Sequence, residues 1–275
     1  MTTPGPAAYR PFGVRLREAM ATHGPLCAGV DPHRGLVESW GLAYDLSGLE
    51  RFAMTCVEAF AGDVASVKPQ SAFFEVFGAR GVAVLERAVD AFTEAGTIVI
   101  LDAKRGDIGS TMDAYAEAFL GKDAPSPADA VTVSPYLGGD SVAPFLADAA
   151  HGAFLLCHTS NPGAADLQHL EIEGRPLYLH LAALARGWNT QGNLGLVVGA
   201  TYPEALERVR AAAPELPFLV PGIGAQGGDL EASVRAGLDA LGRGLLISSS
   251  REIIFAADPR AAALRTRDAI DRARG

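Results

Sequence analysis

Eight short runs of apolar and β-branched residues recur along the chain, each separated from the next by a longer stretch. The runs are LCAGVD (26–31), ASVKPQ (65–70), TIVILDAK (97–104), DAVTVSP (129–135), GAFLLCHTS (152–160), LGLVVGAT (194–201), PFLVPGIG (217–224) and LLISSS (245–250). Several are continuously apolar, which is typical of parallel strands that are covered on both faces. The longer stretches between them, such as GVAVLERAVDAFTEAG, carry apolar residues three or four positions apart, as amphipathic helices do.

This eightfold alternation of strand and helix predicts an α/β fold of the (β/α)8 TIM-barrel type, with an open doubly wound sheet as the structural alternative. The chain has 275 residues, and one such barrel typically occupies about 250. No repeat, linker or low-complexity tract divides the chain, so we expect residues 1–275 to form a single domain with a short N-terminal extension. The long connection 161–188 after the fifth strand is predicted to be an insert, acting as a lid, a subunit contact or a passive decoration.

Charge and cysteine content exclude several classes of function. The formal net charge of -9 opposes binding to nucleic acid. A site for an anionic small molecule must therefore be a local cluster of positively charged groups. Cys27, Cys56 and Cys157 form no C-x-x-C pair, which predicts buried reduced thiols rather than disulfides or a zinc site. The sequence shows no secretory leader and no apolar run near the ~18 residues of a membrane span, so we expect a cytoplasmic protein without a membrane partner.

Lysine is rare in this chain, because only Lys68, Lys104 and Lys122 occur among its 23 basic residues. Lys68 and Lys104 both stand at the C-terminal ends of predicted strands, the face of a barrel where active sites are built. Lys122 lies in a Gly-Lys-Asp loop and is interpreted as incidental. Lysine differs from arginine in carrying a compact ammonium group that can give up a proton. The two lysines at the barrel rim therefore indicate proton donation.

The segment LDAKRGDIGST (101–111) contains the main group of charged residues. Asp102 and Lys104 are two positions apart at a strand end, so both side chains project from the same face of the strand into the barrel mouth. Asp107 follows in the loop. A buried structural ion network is the alternative, but buried charges are costly unless they are fully paired. Together with Lys68, these residues predict an alternating Lys-Asp-Lys-Asp array.

Two later segments indicate a phosphate site. VPGIGAQGGD (220–229) predicts a glycine-rich turn between the seventh strand and a helix, and SSSREI (248–253) places Arg251 directly after the eighth strand. The loops after strands seven and eight of such barrels frequently bind phosphate through backbone N–H groups. Gly222, Gly224 and Gly227 also match G-x-G-x-x-G, but a dinucleotide fingerprint belongs to an early βαβ unit.

Taken together, these motifs make the chain similar to the orotidine 5'-phosphate decarboxylase family, in particular to its longer bacterial branch. DAKRGDIGST resembles a family signature, and VKPQSAFFE, VTVSPYLG, PGIGAQGGD and SSSRE follow the family's order over nearly the whole length. The resemblance implies a homodimeric enzyme that converts orotidine monophosphate to UMP and carbon dioxide without a metal or other cofactor.

The resemblance also implies roles for the charged residues. Lys68 would link the ribose hydroxyls to the array, Asp102 would lie against the substrate carboxylate, and Lys104 would protonate C6 of the pyrimidine. Asp107 and Thr111 would be supplied by the neighbouring subunit of the dimer. All of these positions match the family's motif in this sequence.

The remaining contacts implied are Asp31 at the ribose, Ser134 at the pyrimidine, Pro221 beside the ring, and Gln226 and Arg251 at the phosphate. The chain departs from the family at one of these points, because a Gly-Arg pair common in the family is Ser250-Arg251 here. His158 and Asn161, near the end of the fifth strand, have no implied role, and we expect them to be structural.

Three other functions are compatible with a barrel of this kind. A metal-dependent sugar-phosphate decarboxylase or epimerase also uses an Asp-x-Lys-x-x-Asp segment, but it needs a second carboxylate near the end of strand two, where this chain has Lys68. A Schiff-base aldolase needs a neutral lysine, whereas flanking carboxylates keep Lys68 and Lys104 protonated. A nucleotide-binding protein without turnover would bind the substrate and release no product.

Overall fold

The computed structural model describes residues 10–223 and 228–275, and in it eight parallel strands close into a barrel. The elements in chain order are α1 (Phe12–His23), β1 (Leu26–Val30), α2 (Arg34–Ser39), α3 (Leu46–Phe60), β2 (Ser66–Pro69), α4 (Ser71–Glu75), α5 (Gly78–Glu94), β3 (Ile98–Arg105), α6 (Gly109–Leu120), β4 (Ala130–Val133), α7 (Gly139–Leu146), β5 (Gly152–His158), α8 (Ala164–Leu167), β6 (Glu171–Ile172), β7 (Arg175–Pro176), α9 (Leu177–Trp188), β8 (Leu194–Val198), α10 (Pro203–Ala212), β9 (Phe218–Pro221), α11 (Leu230–Gly237), β10 (Leu245–Ser249), α12 (Arg251–Ile254) and α13 (Pro259–Arg274).

Each of the eight apolar runs forms one strand of the barrel, in the order β1, β2, β3, β4, β5, β8, β9, β10. The ring closes because β1 pairs with strands on both sides: Cys27 is opposite Ser66 of β2 and also opposite Ser248 of β10. The predicted TIM barrel is confirmed, and the open doubly wound sheet is excluded because such a sheet would leave β1 or β10 with a free edge.

Two apolar cores hold this barrel together. The larger core lies between the outer faces of the strands and the surrounding helices, and the smaller one fills the interior of the barrel. Helix α1 closes the N-terminal end of the interior, where Phe12 packs edge-on against Phe154 of β5 with ring centroids 6.2 Å apart. Gly152 makes room for this plug, because a Cβ there would lie 2.3 Å from the Phe12 ring.

The barrel interior changes from apolar to polar towards the C-terminal ends of its strands, as β3 shows. On β3, Ile98 and Ile100 belong to the interior core, and Asp102 and Lys104 continue the same face two and four residues further on. The N-terminal end of the barrel is therefore a packed core that supports the fold, and the polar side chains gather at its C-terminal end, where a ligand can enter.

The segment 161–188 has two parts. Helix α8 and the short antiparallel hairpin β6–β7 are additional to the barrel pattern, whereas α9 is the helix that connects β5 to β8. Extra structure after the fifth strand is thus limited to the residues before Leu177. A single domain over the whole chain stays a prediction.

Cys27, Cys56 and Cys157 are buried and unpaired, as predicted. Burial raises the pKa of the Cys27 thiol to about 11 and that of Cys157 to about 12, so both stay protonated at neutral pH. Within the described residues, no helix has both the length and the apolar composition that crossing a bilayer requires.

Candidate active site

A cavity of about 300 Å³ opens at the C-terminal ends of the strands. Its floor is apolar and consists of Leu156, Val197 and Leu219, which continue the inward faces of β5, β8 and β9. Its walls are mostly polar and are formed by Asp31, Lys68, Gln70, Asp102, Lys104, Thr132, Thr159, Ser160, Ser248, Ser249, Ser250, Arg251 and Glu252, together with Pro221 and its neighbours. A closed apolar base below convergent polar groups is the usual form of a small-molecule site.

Asp102 is the centre of the charged array. Its Oδ2 accepts a hydrogen bond from Lys68 Nζ at 2.8 Å, and its Oδ1 is in contact with Lys104 Nζ. The side chains of Lys68 and Asp102 are only 10% and 9% exposed, whereas that of Lys104 is 46% exposed and faces the cavity. One carboxylate thus joins a buried ammonium group to an accessible one.

The pKa values of this array favour its charged forms. Burial works against the charge on Lys68, but Asp31 and Asp102 outweigh it and raise the pKa of Lys68 above its usual value. Burial also opposes the charge on Asp102, yet Lys68 and Lys104 together lower its pKa to about 2. At neutral pH Lys68 is therefore an ammonium and Asp102 a carboxylate, which makes Lys68 a poor Schiff-base nucleophile.

Thr132 of β4 holds the array in place and was missed by sequence reasoning. Its hydroxyl donates to Asp102 Oδ1 at 3.0 Å and accepts from the backbone N–H of Lys104 at 2.9 Å. Lys104 has φ of +48°, a left-handed conformation that costs a non-glycine residue about 1–3 kcal/mol and persists only where its surroundings enforce it. The available signal was a polar residue within the apolar run AVTV of β4, the strand that neighbours β3 and its Asp102.

Asp107 and Thr111 lie apart from this array. The Asp107 carboxylate accepts from the N–H of Ile108 at 2.8 Å, and Thr111 is exposed in the first turn of α6. Neither is among the residues that line the cavity of the same chain. The structure therefore brings Lys68, Asp102 and Lys104 together, but Asp107, the second aspartate of the predicted array, does not join them.

Four of the predicted substrate contacts line the cavity: Asp31, Pro221, Ser250 and Arg251. Asp31 Oδ1 and Ser250 Oγ are buried and have no hydrogen-bond partner within the described parts of the chain. A Cβ at Gly29 would lie 2.6 Å from Ser250 Cβ, so a glycine is needed where the ends of β1 and β10 meet. Because buried polar atoms normally have partners, Asp31 and Ser250 offer hydrogen-bonding capacity to a ligand.

Two predicted contacts are placed differently or not described. Ser134 lines a neighbouring cavity of about 400 Å³, formed mainly by apolar side chains of α9 and of the loop that follows β4. On the wall of the main cavity the hydroxyls of Thr159 and Ser160 are present instead, and sequence reasoning did not select them. Gln226, like Gly224 and Gly227 of the glycine-rich turn, lies outside the described residues.

Comparison with known proteins agrees with this geometry. Residues 24–266 match the model of the orotidine 5'-phosphate decarboxylase / HUMPS family. An orotidine 5'-phosphate decarboxylase of Streptomyces coelicolor is 52% identical over 225 residues, covering 79% of this chain and 80% of that protein.

Two solved structures are similar over nearly their full length. A putative orotidine 5'-phosphate decarboxylase of Streptomyces avermitilis has 43% identity and a TM-score of 0.89, with 99% of both chains covered. The OMP decarboxylase of Leishmania donovani has 45% identity and a TM-score of 0.86, covering 96% of this chain and 99% of that one. A family model matched over most of the sequence, and relatives near 50% identity, lead to one conclusion: this chain belongs to the orotidine 5'-phosphate decarboxylase / HUMPS family.

Proposed function

We propose that this chain decarboxylates orotidine 5'-monophosphate to UMP and carbon dioxide, a step of pyrimidine biosynthesis, without a metal or other cofactor. The observation that carries the proposal is the Lys68–Asp102–Lys104 array, which projects into a cavity large enough for a nucleotide. Relatives at 43–52% identity are named for this activity.

The array fits the chemistry of the reaction. When the C6–carboxylate bond breaks, carbon dioxide leaves and the electron pair stays on C6 as a localised anion, which must be stabilised electrostatically. The Lys104 ammonium is the exposed cation of the array, so it stabilises this charge and then transfers a proton to C6. Lys104 afterwards regains a proton from solvent, and no electrons are gained or lost in the cycle.

Asp102 acts on the substrate through its negative charge. Its pKa of about 2 keeps it ionised, so its carboxylate repels the carboxylate of the bound substrate. At an effective dielectric constant near 20, a like-charge contact at ~4 Å is worth roughly 4 kcal/mol, and this repulsion is relieved when carbon dioxide leaves. Lys68 keeps Asp102 oriented through the 2.8 Å hydrogen bond.

The remainder of the nucleotide is proposed to bind across the barrel mouth. Asp31 at the end of β1 contacts the ribose, and Pro221 at the end of β9 lies beside the ring. Ser250 and Arg251 at the end of β10 bind the phosphate together with Gln226. The unpaired atoms of Asp31 and Ser250 support these assignments. Their separation from the reacting carbon allows remote binding energy to assemble the site.

A contact between Ser134 and the pyrimidine remains a prediction, because Ser134 lines the neighbouring cavity and not the one that contains the array.

The proposed enzyme is a homodimer in which Asp107 and Thr111 complete the partner's site. Thr111 is exposed, Asp107 is partly exposed, and neither lines the cavity of its own chain, which supports their assignment to a second subunit. A cytoplasmic location also stays a prediction.

A metal-dependent sugar-phosphate enzyme is the second candidate, and the donor atoms of the array argue against it. Both oxygens of Asp102 already accept hydrogen bonds from ammonium groups, and Lys68 occupies the position where a second carboxylate ligand would be needed. A divalent cation binds oxygen ligands and would be repelled by these two lysines.

UMP formation from orotidine monophosphate, followed with purified protein in excess EDTA, tests the proposal. We expect rapid turnover that EDTA leaves unchanged. Lys104→Ala is the matched variant and should lose turnover while UMP binding stays measurable. Absence of turnover in folded wild-type protein, or turnover that EDTA abolishes, would refute the proposal, and near-normal turnover of Lys104→Ala would remove that residue from its role.

A further inference from the structure

The segment between β5 and α9 contacts the wall of the candidate active site. Thr159, directly after β5, lies between the two cavities and lines both of them. Gln168, at the C-terminal end of α8, lines the second cavity and reaches Thr159 from the outside. The added structure therefore contacts the wall of the main cavity at Thr159.

Gln168 holds Thr159 at two points. Its Oε1 accepts from the backbone N–H of Thr159 at 2.9 Å, and its Nε2 donates to Thr159 Oγ1 at 2.8 Å. The Thr159 hydroxyl in turn donates to Asn161 Oδ1 at 2.6 Å. One amide thus satisfies both the main chain and the side chain of Thr159, and this fixes the rotamer as well as the position of the residue.

A second contact joins the same two segments, between the residue before Thr159 and the residue after Gln168. His158 of β5 and His169 form a hydrogen bond between their Nε2 atoms at 3.0 Å, and their rings stack with centroids 5.3 Å apart. His158 is only 1% exposed, and its ring makes an edge-to-face contact with Tyr178 of α9, with ring centroids 4.7 Å apart. Burial, with a smaller contribution from His169, lowers the pKa of His158 to about 4, so the ring is neutral and can share one proton with its partner at neutral pH.

The backbone of the added segment is tied down independently of these side chains. Gln168 N–H donates to Ala164 O within α8 at 2.8 Å, and Gln168 O accepts from Tyr178 N–H of α9 at 3.1 Å. The backbone of the residue that holds Thr159 is therefore hydrogen-bonded to α9, the helix that connects β5 to β8.

We propose that Gln168, supported by His169, is a positioning residue for the active site: it holds the Thr159 wall in the place that the nucleotide requires. The inference rests on the proposed decarboxylation and gives the added segment after β5 its function. Two hydrogen bonds of ordinary net strength correspond to roughly a tenfold to thirtyfold preference for the held position. Without these hydrogen bonds, Thr159 has its binding position in a smaller fraction of molecules. The apparent affinity for the nucleotide decreases in proportion to this fraction.

Gln168→Leu removes both hydrogen bonds at nearly constant volume, and Gln168→Glu keeps the acceptor for the Thr159 N–H but loses the amide donor. We expect KM for orotidine monophosphate and Kd for UMP to rise by roughly tenfold in Gln168→Leu and by less in Gln168→Glu. Glu171→Gln, an exposed position of the hairpin β6–β7, is the control and should leave both constants unchanged.

KM and kcat come from the turnover assay, Kd from calorimetric titration with UMP, and folding from thermal unfolding of each variant. A lowered unfolding midpoint with KM and Kd within twofold of wild type would show a purely structural role and overturn the inference. If Gln168→Leu does not fold, Gln168→Glu decides the matter, because an unchanged KM in that variant would also overturn it. Failure of wild-type turnover would count against the proposed reaction alone, since the UMP titration measures the effect of Gln168 on nucleotide binding without any turnover.

Discussion

Replacing Asp102 by Asn tests whether the charged array stabilises the folded protein in addition to its proposed part in the reaction. The carboxylate is 9% exposed and accepts from Lys68, Lys104 and Thr132. An amide has one oxygen, so if it continues to accept from Lys104 and Thr132, its NH2 group faces Lys68 Nζ across the 2.8 Å now occupied by a hydrogen bond. Two donors then oppose each other at a buried position.

The magnitude follows from the pKa and from the charge left behind. Lowering the pKa of Asp102 from 3.8 to about 2 corresponds to about 2 kcal/mol in favour of its charged form in the folded protein. The unpaired Lys68 ammonium brings the total loss to ~3–5 kcal/mol, the usual cost of breaking a buried ion pair by removing one partner. For a chain of this size, that range corresponds to a decrease of roughly 6–10 °C in the unfolding midpoint.

Thermal unfolding of wild type and Asp102→Asn at several pH values measures the effect. A carboxylate with a depressed folded-state pKa contributes stability above its unfolded pKa near 4 and loses it as the pH falls towards 2. The difference between the two proteins should therefore be full above pH ~5 and narrow between pH 4 and 2.

The double variant Asp102→Asn/Lys68→Met removes the unpaired ammonium and should recover part of the loss. Recovery is partial because Asp31 also loses a nearby cation. Equal stability of Asp102→Asn and wild type at pH 7, or a further loss in the double variant, would refute this reasoning.

Two further predictions concern assembly and stability. Mixing inactive Lys104→Ala with inactive Asp107→Ala subunits should restore turnover, because a hybrid dimer contains one complete site; continued inactivity after demonstrated subunit exchange would argue against a shared site. Arg210 is buried, burial lowers its pKa to about 10, and it donates to five backbone carbonyls while its guanidinium lies 3.6 Å from the Phe218 ring centroid. Arg210→Met should therefore lower the free energy of unfolding by ~3 kcal/mol or more without altering KM, and a denaturant midpoint equal to that of wild type would contradict this.

The fold could be predicted from the sequence because its signals are local. Each buried strand requires a short apolar run and each outer helix an apolar position every three or four residues, so eight repetitions imply the barrel before any contact is known. The family could be predicted for a related reason, since DAKRGDIGST places charged residues at fixed spacing on one strand and its loop.

The candidate site could be predicted only in part. Asp102 and Lys104 share a face because strand residues two apart always do. The pairing of Lys68 with Asp102 joins residues 34 positions apart, and it exists only because β2 and β3 are neighbours in the closed sheet. The family resemblance implied a contact between Ser134 and the pyrimidine, whereas in the structure Ser134 lines the second cavity.

Strand identity and the direction in which each strand side chain points therefore follow from the amino-acid order, since both depend on the local backbone period. Which polar groups meet depends on the register between strands and on the chain that packs over their ends. Thr132 touches Asp102 across β3 and β4, and Gln168 reaches Thr159 only after α8 turns back to the barrel. Such contacts join segments whose separation in the chain carries no periodic signal, so they are established when the barrel closes and the added segment packs against it.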